Sequence, residues 1–359
     1  MFDVLLQVPV IGMEWEPFIV LVIAALAGGA FGAAIGALPA FIFTGFLVFL
    51  GEGIAILQRE LGNLEAVPKG ELAAGITGVI GFGPITGPHI AFAGGVAASA
   101  YAGKKYPEME PDDWDYHFGK NILYAFGTKP DILAVGAIFG VVGMLIARLA
   151  GGLGFPTDGI ALSVVATAFL ARIAFGYPLV GNAAGSSIFD MSPFERGEID
   201  DEVATDGGTA SYGMATEPWL PHQYKWSGVT AIGIVGGILA GFIWLRTGSI
   251  FLGYAISAIS LLFLNLGVEK IPVTHHITLI GAVGAVLAMP LFGNEVVAIL
   301  VAGGFGAVSG LLGEATQRMF YSHSGTHVDP PAMAIAIAML VIGVAFLLGL
   351  LPNAGYLTL

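Results

Sequence analysis

Residues 81–89, GFGPITGPH, carry the most distinctive group of polar side chains in the sequence. Three glycines and two prolines within nine residues rule out an unbroken helix, because proline removes a backbone donor and glycine weakens a helix. Apolar sequence flanks the segment on both sides, and irregular backbone at membrane depth persists only where protein or a water-filled cavity covers it. We expect a discontinuous helix or a re-entrant loop in which Thr86 and His89 bind an ion or solute. The alternative is a proline-kinked helix whose polar groups are satisfied by its neighbours.

A related element, PVTHH, occurs at residues 272–276. It again combines proline with threonine and histidine inside apolar sequence, which predicts a second broken or re-entrant segment. Paired broken segments are the best sequence indicator of a transporter's binding site. Thr274, His275 and His276 are therefore predicted to bind the same ion or solute.

Three carboxylates are further candidates for this site. Glu52 lies deep within an apolar run, where an unpaired carboxylate is costly, so it must be protonated, paired or in contact with water. Asp158 and Asp329 each stand at the start of a predicted span. Both have the alternative role of a helix N-terminal charge, but their matching positions make them candidates to coordinate a cation.

A metal site is a separate hypothesis for residues 323–329, HSGTHVD. His323, His327 and Asp329 supply two imidazoles and a carboxylate, which suit zinc, nickel or another divalent ion. The alternative is a hydrogen-bonded polar connection between two spans. No other cofactor is predicted.

Enzyme signatures are missing from the sequence. It has no P-loop, HExxH or GxSxG motif and no cysteine nucleophile, so we expect a protein that is not an enzyme. Two other charged features have structural explanations. Glu314 and Arg318 have the spacing of an i,i+4 helix pair, and Arg172 is predicted to extend toward the membrane interface.

The elements that position these residues must be transmembrane helices. Of 359 residues, 56% are hydrophobic and only 11% charged, with a mean hydropathy of +0.85, whereas soluble domains carry about 25% charged residues. The apolar runs are continuous rather than alternating, and each is long enough to cross a ~30 Å hydrocarbon core as a helix. We predict an all-α polytopic protein of the cell membrane with about ten spans: 17–38, 40–61, 71–102, 130–150, 158–176, 227–246, 249–267, 272–290, 294–316 and 330–351.

The chain divides into a first transmembrane half at 1–176, an acidic extramembrane loop or small cap at 177–226, and a second half at 227–359. The halves share elements in the same order, for example FGVVG at 139–143 and FGAVS at 305–309. An odd number of spans per half predicts a 5+5 inverted repeat, as in many secondary transporters.

The remaining composition bears on origin and partners. A net charge of −13 concentrated in loops resembles adaptation to high salt, which suggests a halophilic archaeal source and excludes a basic nucleic-acid surface. The 54 glycines permit close helix packing, either inside the chain or in a homo-oligomer. Residues 32–41, GAAIGALPAF, are similar to the opening helix of the large membrane subunit of tripartite carboxylate transporters, a match of ten residues that assigns no functional residue.

Together these features predict a secondary transporter for a small cation, a proton-coupled solute or a small neutral solute. Its binding site would lie at the paired broken segments near the middle of the membrane. Two alternatives remain open from the sequence. One is an ion or solute channel, and the other is an oligomeric structural or scaffolding membrane protein without transport.

Overall fold

The computed structural model describes residues 7–61, 75–199 and 213–359, and within these ranges the chain is helical without a β-strand. Each predicted span overlaps a helix. The ten longer helices of the described residues are α1 (Trp15–Ile35), α2 (Ala37–Leu61), α3 (Ala93–Lys105), α4 (Pro130–Gly152), α5 (Gly159–Phe175), α6 (Trp226–Thr247), α7 (Phe251–Asn265), α8 (His275–Phe292), α9 (Glu295–Phe320) and α10 (Pro330–Leu347). Seven of them are long and apolar enough to cross a membrane, namely α1, α2, α4, α6, α8, α9 and α10, while α5 and α7 are apolar but shorter.

The segment ahead of α3 is interrupted, as its prolines and glycines require. It has wide π-helical turns at Gly75–Gly81 and Pro88–Phe92, separated by non-helical backbone at 82–87. It runs once along α2 in the opposite direction, because Thr77 lies beside Glu52 and Thr86 beside Thr44. The described part is therefore a discontinuous helix and not a loop that turns back; residues 71–74 of the predicted span lie outside the described residues.

The second predicted break differs from the first. Residues 271–274 are non-helical, but α8 begins at His275 and continues unbroken to Phe292. The backbone N–H of Thr278 donates to the carbonyl of Thr274 (2.9 Å), so Thr274 closes the first turn. Pro272 precedes that turn, where a missing N–H interrupts no helix. The element starts a helix instead of breaking one.

Helices of each half pack mainly on one another. In the first half α1, α3 and α4 contact one another, and α5 contacts α3 and α4; in the second, α6, α8 and α9 contact one another, and α10 contacts α8 and α9. Glycine permits this closeness: a Cβ on Gly29 would lie 2.2 Å from the Gly136 carbonyl oxygen, and one on Gly237 equally close to that of Ala302. The halves meet where α2 packs on α7 and α5 on α10.

Outward faces of the helices remain apolar. Val20, Leu239 and Val296 are each more than half exposed. An exposed apolar surface of this extent is unfavourable in water, so these faces are compatible with lipid. The acidic segment at 177–226 is described except for residues 200–212, which lie outside the described residues.

Candidate functional site

A cavity of about 1090 Å³ occupies the seam between the two halves. Its lining begins at Trp114 and Leu220 in the loops at one face and reaches Phe155 and the C-terminal Leu359 at the other. Between these ends it is lined by residues of α2, α5, α7, α8 and α10 and of the broken segment ahead of α3. Loops from opposite ends of the helices thus contribute to its lining.

Thr86 stabilises the non-helical backbone at 82–87 through its own hydrogen bonds. The Thr86 hydroxyl donates to the carbonyl of Gly81 (3.1 Å), and the Thr86 carbonyl accepts a hydrogen bond from the hydroxyl of Thr44 (2.6 Å). Thr86 is buried and does not line the cavity. Its polar groups are already used, so it positions the break.

His89 is placed differently from Thr86, although it follows three residues later. It lines the cavity, is 7% exposed, and its Nδ1 is buried without a hydrogen-bond partner among the described residues. The backbone carbonyl of His89 fits against Gly143 of α4, where a Cβ would lie 1.7 Å from that oxygen. The broken segment therefore fixes the imidazole at the cavity wall, with its Nδ1 buried and unpartnered among the described residues.

The three predicted binding residues of the second element also lie in different surroundings. His275 lines the cavity, and its ring lies 4.7 Å from that of Phe41, with Nδ1 again unpartnered among the described residues. Thr274 bonds the hydroxyl of Ser257. Neither Thr274 nor His276 lines the cavity, and the His276 ring lies 6.4 Å from that of Trp219. Of these three predicted binding residues, the structure places only His275 at the cavity.

Asp158 and Asp329 line the cavity and also cap the helices that they precede. Asp158 accepts hydrogen bonds from the Ala161 backbone N–H (2.8 Å) and the Tyr356 hydroxyl (2.7 Å). Asp329 accepts one from the Ala332 N–H (2.8 Å) and lies 3.2 Å from His327 Nε2. Each of these aspartates therefore both caps a helix and lines the cavity.

Asp158 and Asp329 lie at different depths along the α10 axis. The Thr157 hydroxyl donates to the Ala336 carbonyl (2.6 Å). Ala336 is seven residues beyond Asp329, so the two caps are separated by roughly 10 Å along the α10 axis at 1.5 Å per residue.

Glu52 does not line the cavity. Its carboxylate accepts hydrogen bonds from the hydroxyls of Thr77 (3.1 Å) and Ser249 (2.6 Å). Ser249 belongs to the second half, so Glu52 is a polar link between halves. Two hydroxyl groups therefore hydrogen-bond this carboxylate.

The three predicted metal ligands do not converge. His327 approaches Asp329, but Nε2 of His323 lies 3.0 Å from the carbonyl oxygen of Ile188. Within residues 7–61, 75–199 and 213–359 no three His, Asp or Glu side chains come together as metal ligands. The geometry instead matches the alternative, a hydrogen-bonded connection between α9 and α10.

Sequence reasoning missed the aromatic lining of the cavity. Eight lining rings form a row in which neighbouring centroids are 5.2–6.1 Å apart, within the range of favourable ring contacts. In apolar helices an aromatic residue carries no local signal of such a role. This aromatic row consists, in spatial order, of Tyr356, Phe251, Phe82, Tyr254, Phe41, Phe92, His327 and Tyr321.

A buried ion pair was also missed. Lys120, 1% exposed, lines the cavity near the loops, and its Nζ lies 2.5 Å from Oε2 of the fully buried Glu217. The other oxygen of Glu217 accepts from the backbone N–H of His117 (3.0 Å) and contacts its Nδ1 (2.6 Å). Burial opposes ionisation of Glu217, but Lys120 and His117 outweigh it and hold the pKa of its carboxyl below the ordinary value. The pair joins the two extramembrane segments over one end of the cavity.

Two other charged residues can be compared with their predictions. Arg318 bonds Glu314 at 2.6 Å, as the i,i+4 spacing predicts. Arg172 does not reach the interface: it is fully buried and donates to the Thr326 hydroxyl (2.8 Å) and carbonyl (2.9 Å). That prediction was wrong, because unpaired acceptors inside the protein provide partners that solvent would otherwise supply.

Comparison with known proteins adds a family but no activity. No curated protein and no solved structure matches the chain. A family model described as "Family of unknown function (DUF7973)" matches residues 10–359. The match covers nearly the whole chain, which therefore belongs to this family.

Proposed function

We propose that this protein is a secondary transporter of the cell membrane that carries a small cation, a proton-coupled solute or a small neutral solute through the central cavity. One observation carries the proposal: a single cavity is lined by both halves and touches loops at both ends of the helices. Transporters bind their substrate at the interface of two repeats and expose that site to each side in turn.

An inverted 5+5 repeat with ten crossings is part of the proposal, and the helix contacts support it. Pairing α1–α5 with α6–α10 in order maps the contacts within one half onto those within the other. The main helix–helix contacts between the halves, α2 with α7 and α5 with α10, then join equivalent helices, as a twofold axis requires.

The same pairing of the two halves also holds for individual residues. Thr44 of α2 bonds Thr86 ahead of α3, and Ser257 of α7 bonds Thr274 ahead of α8. The neighbouring residues Gly45 and Ala258 pack directly on each other, since a Cβ on Gly45 would lie 2.9 Å from that of Ala258. Equivalent hydroxyls therefore hold the non-helical segment in each half.

Flux measurements on reconstituted protein test the proposal. Proteoliposomes would be assayed with radioactive sodium, with an internal pH dye for protons, and with glycerol by light scattering. We expect flux of at least one probe above protein-free vesicles, saturating with concentration and reduced by His89→Ala. His222→Ala is the matched control, because His222 bonds the Ile271 carbonyl and does not line the cavity. Equal flux in protein-free and protein-containing vesicles for all three probes would contradict transport.

A channel is the second candidate, and the face-to-face lining of the cavity favours it. A channel that stays open to both faces gives flux proportional to the gradient. A transporter saturates, because each cycle requires a conformational change on a microsecond to second timescale. The concentration dependence in the same vesicles therefore separates the two functions.

A further inference from the structure

We propose that the central cavity binds an organic cation, an alkylated or protonated amine with an apolar body, along the aromatic row between Asp158 and Asp329. Identification of this ligand as the transported solute rests on the function proposed above. The binding site itself is inferred from the side chains that line the cavity.

The walls suit such a cation because aromatic rings line them. The aromatic row passes through the cavity, with Tyr254 near its middle, where it contacts the rings of Phe41 (6.1 Å) and Phe82 (5.8 Å). Aromatic rings attract a nearby cation through their negative faces, and cages of such rings recognise quaternary ammonium groups. The apolar body of the ligand would contact the same rings.

Each end of the row is joined to a carboxylate. Tyr356 at one end donates to Asp158 (2.7 Å), and His327 near the other lies 3.2 Å from Asp329. Neither carboxylate forms an ion pair with Lys or Arg among the described residues. Of the cationic side chains at the cavity wall, Lys120 is paired with Glu217, and Arg148 is exposed near the C-terminal end of α4. Helix N-termini offset part of the negative charge, but these partly buried carboxylates still favour a cationic partner.

Histidine supplies a second, independent indication of a polar ligand. His89 and His275 are more than nine-tenths buried at the cavity wall, and each has an Nδ1 without a partner among the described residues. A buried nitrogen that lacks a partner is costly. An N–H or hydroxyl group of a bound amine that reached this nitrogen would offset that cost.

An inorganic cation fits the same cavity poorly. Hard cations such as Ca²⁺ take roughly 6–8 oxygen ligands at about 2.3–2.6 Å, and the described residues hold no cluster of three His, Asp or Glu that could act as metal ligands. The cavity volume of about 1090 Å³ is close to that of small-molecule pockets, about 300–1,000 Å³. Size and ligand number both favour an organic ligand.

The test measures binding by the purified full-length protein in detergent. The midpoint of thermal unfolding would be titrated with phenyltrimethylammonium, with its uncharged isostere tert-butylbenzene, and with sodium chloride. We expect the ammonium compound to bind about 30-fold more tightly than the isostere, as a desolvated cation over aromatic rings would. A Tyr254→Leu variant should lose most of this preference.

Charge is tested with the double variant Asp158→Asn with Asp329→Asn. Asparagine is as good an N-cap as aspartate, so the helices keep their caps while the charges are lost. We expect the affinity for phenyltrimethylammonium to fall by at least about 10-fold while that for tert-butylbenzene is unchanged. Asp131→Asn is the matched control, since Asp131 lies in the first turn of α4 and does not line the cavity.

The outcomes separate this inference from the transport proposal. Equal affinity for the charged and uncharged compounds, or stabilisation by sodium alone, would overturn the organic-cation site. Flux of sodium, protons or glycerol without phenyltrimethylammonium binding would also overturn it and leave transport standing. Charge-selective binding without flux of any probe, phenyltrimethylammonium included, would support the site and contradict transport.

Discussion

Replacing Glu217 with glutamine should destabilise the protein strongly, because it leaves Lys120 buried without a counter-charge. Lys120 is 1% exposed, and its Nζ lies 2.5 Å from Glu217. Removal of one partner from such a pair costs about 3–5 kcal/mol. With an unfolding entropy of about 2.1 cal/mol/K per residue, this corresponds to a fall in Tm of about 4–7 °C for a chain of this length.

The assay is thermal unfolding in detergent, followed by tryptophan fluorescence. Glu195→Gln is the matched control, because Glu195 pairs with Lys225 at an exposed position and should give no measurable change. The double variant Lys120→Met with Glu217→Gln should recover much of the loss, since no buried charge remains. A Glu217→Gln shift as small as that of Glu195→Gln, or a double variant as unstable as the single one, would refute the reasoning.

The pH dependence provides an independent check of the same pair. Burial lowers the pKa of Lys120 to about 8 from its ordinary value of 10.5, although Glu217 counteracts the shift. Between about pH 8 and 10.5 the folded protein therefore binds fewer protons at Lys120 than the unfolded chain does, and this group adds stability as pH rises. Above pH 8 Lys120 is neutral in the wild type, so the penalty of Glu217→Gln should be largest at pH 7 and shrink by pH 10.

Three further predictions use the same unfolding assay. Gly237→Ala should destabilise the protein by about 1–3 kcal/mol, since its Cβ would lie 2.2 Å from the Ala302 carbonyl oxygen. The control Gly53→Ala, whose Cβ meets no atom within 4 Å, should be neutral or stabilising. Equal losses of stability in the two variants would contradict this packing. Thr44→Val removes the donor to the Thr86 carbonyl and should cost about 1–3 kcal/mol; an unchanged Tm would show that the break does not depend on this bond. Arg172→Lys should lose at least one bond to Thr326, since lysine lacks the planar fork of donors, and full stability in this variant would contradict that assignment.

The helices and their ends were largely predictable from the sequence. A continuous apolar run must form its backbone hydrogen bonds internally in lipid, so each predicted span overlaps a helix. The interruption before His89 followed from proline and glycine, and the caps at Asp158 and Asp329 followed from a short acidic side chain at a helix start. These features depend on neighbours within a few residues.

Only the tertiary structure determines which residues line the cavity. Tyr356 lies 198 positions from Asp158, which its hydroxyl bonds, and Lys120 lies 97 positions from Glu217. Pairings over such separations depend on how whole helices pack, and no local pattern encodes them. Thr86 and Glu52 depend on tertiary structure in the same way, because the partners that satisfy their polar groups cannot be identified from the sequence.

His275 and His276 show most directly what each level determined. The sequence placed both imidazoles at the start of one apolar segment, and their chemistry is identical. Successive residues on a helix are rotated by about 100°, so the packing of α8 places His275 at the cavity beside Phe41, whereas His276 lies against Gly313 of α9. Local sequence determined that a helix begins there, whereas the rotation of that helix against its neighbours decided which histidine can meet a ligand.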